Sequence, residues 1–296
     1  MANLRDVRLR MRAIRQTLQV TKAMNLISTA KLRKGRRFLE DTEPYFNRIQ
    51  KSMFDILSSV HKVESKFFLD PDPSKPAPAA IVVITSDKGL AGGFNANIIR
   101  QVNDLCARVN NPVLILIGSI GYRYFAHTSR VILESFTWHS QLPTVENAGE
   151  IADYIISQFL WGMFGEVHVI YTHMYSAIKL LPAEVQILPL NKEKIQAELA
   201  SMGNVKRVTL DFEFLPSEGE VFDALVPIYI KGIIYSCMVE SYVSEQSARM
   251  AAMDEASKNA EDMLGSLQIS YNRARQAGIT QEMSEIVGGS SALADK

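Results

Sequence analysis

The sequence predicts an α/β protein in which an antiparallel coiled coil of the N- and C-terminal helices carries an inserted, doubly covered, mostly parallel α/β domain. Three observations lead there. Neither the first 43 residues nor the last 69 contain proline, both ends space apolar residues alternately by three and four, and the middle alternates short apolar strands with amphipathic helices. The spacing at the ends is the narrow seam of a coiled coil.

In the N-terminal arm the seam is Leu4, Val7, Met11, Ile14 and Leu18; in the C-terminal arm it is Met250, Met253, Ser257, Ala260, Leu264, Leu267, Tyr271 and Ala274. An isolated helix is marginal in water and gains most of its stability by packing an apolar face. Each arm therefore needs a partner, and the other arm is the nearest one. Between them, the proline-dense stretch from Leu69 to Pro78 marks a linker. The run Ile81 to Ile84 reads as a buried strand, followed by a glycine loop and a helix over Asn95 to Val109. Strands over Val113 to Ile117 and Val167 to Tyr171 flank an amphipathic helix over Val145 to Met163, the rhythm of a parallel sheet covered on both faces. Val185 to Leu190 and Val208 to Phe214 read as further strands, the second at an edge. Ser217 with Glu220 has the form of a capping box. Pro227 is expected to break that helix, with the long helix resuming near Ile233. The divisions that follow are 1–68 for the N-terminal helix, 69–78 for the linker, 79–215 for the α/β domain and 217–296 for the C-terminal helix.

At 47% hydrophobic and 22% charged over 296 residues, the chain can bury a substantial core. No run approaches the roughly 20 apolar residues that span a bilayer, and residues 1–15 alternate arginine with apolar positions instead of forming a signal-peptide core. Cys106 and Cys237 are too few for a disulfide framework and read as buried small hydrophobes. The zero net charge hides an asymmetry. Residues 1–37 hold eleven basic side chains and one acid, a net of +10, while residues 240–296 hold nine acids and five bases, a net of −4. Opposite charge favours pairing of the arms, and the surplus leaves a basic face for another partner.

The loop Ser86-Asp87-Lys88-Gly89-Leu90-Ala91-Gly92-Gly93-Phe94-Asn95 follows a strand and opens a helix, the setting of a phosphate cradle. It matches neither G-x-G-x-x-G nor G-x-x-x-x-G-K-[ST], and its lysine precedes the glycines. The reading that fits is a tight strand-to-helix turn. His61, His127, His139, His168 and His173 show no metal spacing; His168 and His173, five apart on a strand, face opposite sides. No catalytic constellation, cofactor site or metal site emerges. Arg5, Arg8, Arg12 and Arg15 form a stripe that a phosphate backbone would fit, but residues 1–37 hold no aromatic residues for stacking, and the stripe borders the seam. The residues alone leave two other readings open: a coiled-coil adaptor with a nucleotide-binding α/β domain, and a basic-arm nucleic-acid binder.

Longer motifs narrow this. Residues 17–34, TLQVTKAMNLISTAKLRK, resemble the N-terminal signature of the gamma subunit of F-type rotary ATP synthases. Residues 244–293, including SEQSARMAAMDEASKNAEDM and SYNRARQAGITQEMSEIVGGSSAL, resemble that family's C-terminal signature, and SDKGLAGGFN its central glycine motif. The resemblance implies a non-catalytic rotor: paired terminal helices inside a ring of three alpha and three beta subunits, with the α/β domain near the epsilon subunit and the membrane ring. It implies no cofactor, no nucleic acid and no small-molecule substrate of its own. By motif match, Lys22 and Met24 lie in the stretch facing the catalytic subunits, with Lys31, Arg33 and Lys34 extending that cationic face. Arg275, Gln276, Thr280 and Glu282 match the contact region near the far end, and Gly288 to Ser291 are expected to fray there. Ala91 stands where many members have cysteine, so the loop has no thiol role, and no cysteine-bearing insertion precedes the return helix. Asn25, Leu26, Ser28 and Thr29 replace more usual lysine, methionine or alanine and are expected to make the seam more polar. With no transit peptide before Leu4, the expected place is the cytoplasmic face of a bacterial plasma membrane, as a peripheral subunit.

Overall fold

The computed structural model describes residues 4–59, 65–68, 77–137, 142–176, 179–191 and 217–294. The chain falls into two compact units, Met1–Ser28 with Arg249–Lys296, and Thr29–Ala248. Two long helices contribute to both: α1, Leu4–Ser59, and α5, Glu218–Ala294. Between them come β1 (Ala79–Ile84), α2 (Phe94–Cys106), β2 (Val113–Ile117), α3 (Ser119–Phe125), β3 (Val131–Phe136), α4 (Val145–Leu160), β4 (Glu166–Met174) and β5 (Leu180–Leu188).

The strands form one sheet in the order β3-β2-β1-β4-β5, parallel except for β5, which runs antiparallel to β4. The predicted parallel order holds because β1, β2 and β4 are continuous apolar runs, which only a sheet covered on both faces can bury. On one face Ile81, Val83, Leu114, Leu116 and Ile170 pack against α2 and against Phe125 of α3. The alternate residues Ile84 and Ile117 meet Met238 and Tyr242 of α5. Phe136 meets Tyr154 of α4 edge-on at 6.1 Å, so α4 and α5 cover this second face. Asp153 and Lys231 tie those two helices at 2.9 Å. Thr144 caps α4 by accepting from the Asn147 amide at 3.2 Å.

α3 and β3 were not foreseen, and β5 starts at Leu180 instead of Val185. The expected strand at Val208 to Phe214 and all of the linker except Ala77 and Pro78 lie outside the described residues.

The break expected at Pro227 is absent, since α5 runs through it without interruption. Ser217 begins the helix as predicted, its hydroxyl accepting from the Glu220 amide at 3.3 Å. An interior proline costs about 3 kcal/mol. Phe222, Val226, Ile230 and Ile234, one per turn across that site, are all fully buried, and burying each contributes about 1.5–3 kcal/mol. Packing outweighs the lost bond. A stretch of α5 is long and apolar enough to cross a bilayer by composition, yet Phe222, Val226, Ile230, Ile234, Met238, Val239 and Val243 within it are buried in protein core. α1 likewise continues past Pro44, with Met53 and Ile56 buried beyond it.

Two glycines set how closely α1 and α5 approach within the second unit. A methyl group on Gly35 would lie 2.7 Å from Val243 Cγ2, and one on Gly232 would overlap the Phe46 ring. Neither position has room for a side chain.

Candidate functional site

In the first unit the helices pair antiparallel with the predicted seam. Thr21 Oγ1 lies 2.7 Å from Ser257 Oγ, Asn25 Nδ2 donates to the Met250 carbonyl at 3.2 Å, and Arg8 Nη2 donates to the Tyr271 hydroxyl at 2.9 Å. Counting outward from Thr21 and Ser257, this register sets Leu18, Ile14, Met11, Val7 and Leu4 opposite Ala260, Leu264, Leu267, Tyr271 and Ala274. Those positions are buried or half-buried while their neighbours are exposed. The polar substitutions noted in the sequence are mostly absorbed: Ser28 is buried, Asn25 and Thr29 are half-buried, and Asn25 is hydrogen-bonded across the seam. Leu26 is the exception, since at 72% exposure it points away from the seam instead of altering it.

Of the anticipated contact residues, Lys22 is exposed and pairs with Glu261 at 2.7 Å, while Met24 is half-buried. Lys31, Arg33 and Lys34 are exposed on α1, the Lys34 ammonium standing 5.7 Å from the Phe38 ring centre. Arg275, Gln276, Thr280 and Glu282 are exposed on α5. They do not share one place. From the level of Ser257 to Arg275 is eighteen residues of helix, about 27 Å at the usual rise. Within the first unit, Lys22 and Arg275 therefore lie at separate levels of the helical pair.

Past Ala274, every residue of α5 from Arg275 to Val287 is exposed, and no described residue of α1 lies opposite. Ile279, Met283, Ile286 and Val287 make an apolar stripe there, each 49–72% exposed. The sequence reading named the polar residues of this segment and passed over the apolar ones. Their three- and four-residue spacing was the available signal. The helix stays regular through Gly288 to Ser291, so the expected fraying is not seen.

The glycine loop is closed on itself. Asn95 Oδ1 accepts from the Ser86 amide at 3.0 Å, Ser86 Oγ donates to the Lys88 carbonyl at 2.9 Å, and Asp87 Oδ1 accepts from the Ser119 amide at 2.9 Å. The start of α3, where an anion would sit, already holds a carboxylate. In a sheet of this order the ligand crevice opens at the carboxyl ends of the central strands. Here α5 lies over it: Met238, Ser241, Tyr242 and Glu245 line a space of about 10 Å³ with Ile84, Thr85, Phe94 and Ile117, one water's worth. Ser244 Oγ of the same helix donates to the Thr172 carbonyl of β4 at 3.1 Å. The helix fills the place of a nucleotide.

His168 and His173 face opposite sides of β4 as expected. His168 stands between Glu166 and Glu184 at 3.4 and 3.3 Å, and His173 lies 2.5 Å from Glu240 of α5. Among the described residues no group of His, Cys, Asp and Glu could hold a metal. Cys106 and Cys237 are buried, and burial pushes both thiols up.

A doubly wound sheet whose crevice is filled by its own helix, on a chain whose two long helices pair into a seam beyond which α5 is exposed, defines a class: a structural subunit that acts through the surface of a helical pair. Comparison with known proteins makes the class specific. The family model described as ATP synthase matches residues 3–293. The ATP synthase gamma chain of Ruminiclostridium cellulolyticum is 42% identical over 292 residues, covering 98% of this chain and 99% of its own. That of Acetivibrio thermocellus is 40% identical over 294 residues, covering 99% and 100%. A chain in the Euglena gracilis mitochondrial ATP synthase structure (OSCP/F1/c-ring, rotational state 3) has the same fold, with a TM-score of 0.66 at 15% identity over 98% of this chain and 94% of that one. This chain belongs to the family of ATP synthase gamma chains. It is a non-catalytic central rotor subunit, part of a complex that sits on a membrane.

Proposed function

We propose that the paired helices turn inside a head of three alpha and three beta subunits, and that the α/β domain meets the epsilon subunit and the membrane ring at the cytoplasmic face of a bacterial plasma membrane. Ion flow through the ring supplies torque. The helical pair couples it to ATP synthesis or hydrolysis without taking part in bond chemistry. Two unlike helices have no threefold symmetry, so at any moment three equivalent sites face three different surfaces. Each site is biased toward a different conformation, and rotation exchanges the roles.

The observation that carries this reading is the end of α5. A lone helix with an exposed apolar stripe at Ile279, Met283, Ile286 and Val287 is marginal in water and calls for a surrounding sleeve. In this reading Arg275, Gln276, Thr280 and Glu282 contact that sleeve, and Lys22, Met24, Lys31, Arg33 and Lys34 are further contacts made by α1. In vesicles reconstituted with the complex, Met24→Lys adds a charge at one of them. It is expected to lower ions pumped per ATP more than it lowers hydrolysis; equal effects on both would remove Met24 from the contacts.

A further inference from the structure

The end of β4 carries Tyr171 and His173 on one face, because side chains alternate along a strand, and Tyr175 follows directly after the strand. α5 lies against them. Glu240 Oε1 stands 2.5 Å from His173 Nδ1. The His173 ring is edge-on to Tyr171 at 6.4 Å and to Tyr175 at 4.4 Å, which fixes its plane. One helical turn beyond Glu240, Ser244 donates to the Thr172 carbonyl.

Apolar burial holds α5 on the sheet but is non-directional, so it resists separation more than it resists turning of the helix about its own axis. Hydrogen bonds have preferred directions and lengths. Glu240 faces His173, and one turn on Ser244 donates to the Thr172 carbonyl, so rotating α5 in place would break both contacts together.

We propose that Glu240 is a positioning residue for rotation: with His173, and with Ser244 one turn on, it locks α5 against twisting within the α/β domain, so that torque on that domain turns the helix without slip. This rests on the rotor reading above. Burial holds the Glu240 carboxyl above its ordinary value, so toward acid pH it takes up a proton and loses the charge that faces His173. The other titratable groups around it are the Tyr171 and Tyr175 hydroxyls and the Cys237 thiol, and the Lys179 ammonium lies 5.5 Å from the Tyr175 ring centre. Burial pushes the Tyr171 hydroxyl and the Cys237 thiol further up, away from neutrality. Glu240 therefore sets the acid limb of the response.

The test uses the intact complex carrying Glu240→Gln or His173→Gln, with assembly checked by native mass spectrometry and ions pumped per ATP measured across acid, neutral and alkaline pH. Both variants are expected to assemble and to hydrolyse ATP at the wild-type rate, with a several-fold fall in ions pumped per ATP at neutral pH. Glu240→Gln is also expected to flatten the acid limb of the coupling profile. Wild-type coupling with a wild-type pH profile would overturn the proposal. So would failure of both variants to assemble, which would make the cluster a folding element. Failure of the unmodified chain to assemble with head subunits would instead overturn the rotor reading.

Discussion

Thr21 and Ser257 place two hydroxyls 2.7 Å apart inside the seam of a coiled coil, buried together where apolar side chains would ordinarily meet. A buried polar pair of this kind fixes register at some expense of stability. Thr21→Val is expected to destabilise the chain by about 1–3 kcal/mol, because it leaves the Ser257 hydroxyl buried without its partner. Adding Ser257→Ala should restore most of that loss. Urea unfolding of the purified chain and both variants measures it, and equal stability of the single and double variants would count against the pairing.

Gly232 and Gly265 make opposite predictions for one substitution. A methyl group on Gly232 overlaps the Phe46 ring, so Gly232→Ala is expected to cost about 1–3 kcal/mol through overpacking. A methyl group on Gly265 meets nothing within 4 Å, so Gly265→Ala should stabilise the helix by about 0.5–1 kcal/mol. Thermal unfolding separates them by sign.

Burial raises the Glu240 carboxyl above its ordinary value, despite His173 pulling the other way. Between the ordinary value and the raised one, the folded chain holds a proton that the unfolded chain has released. The contribution is therefore fully present below the ordinary carboxylate value, and stability falls as pH rises through the folded value. Denaturant midpoints taken across mildly acid pH should show that slope in the wild type and lose it in Glu240→Gln.

Lys22 pairs with Glu261, but both side chains are more than half exposed, at 58% and 52%. Exposed pairs contribute roughly 0–1 kcal/mol. Lys22→Gln is therefore expected to leave the melting temperature almost unchanged. A fall in ions pumped per ATP in that variant then reports a lost contact with a neighbouring subunit, while a large loss of stability would assign Lys22 to the helical pair itself.

The paired arms were legible because a coiled-coil seam repeats over many turns, so a single misread position changes nothing. Leu4 to Leu18 and Met250 to Ala274 were identified one by one from spacing alone. The strands β1, β2 and β4 were legible as continuous apolar runs. α3 was not, since seven residues from Ser119 to Phe125 are too short to show a helical period. β3, with mixed burial at the sheet edge, carries no clear alternation. Pro227 misled because a local rule was applied to a helix held by long-range packing at Val226 and Ile230. Motif resemblance pointed to Lys22, Met24 and Arg275, whereas the exposure of Ile279 and Met283 is a matter of what packs beside them, which no local pattern records.

The central claim is that the exposed end of α5 turns within a sleeve of other subunits. The most direct measurement is native mass spectrometry of the complex recovered from its own membranes by a tag on this chain. One copy of the chain with three alpha and three beta subunits is expected; recovery of the chain alone, of a self-assembled oligomer, or of the chain with nucleic acid would rule out such a sleeve.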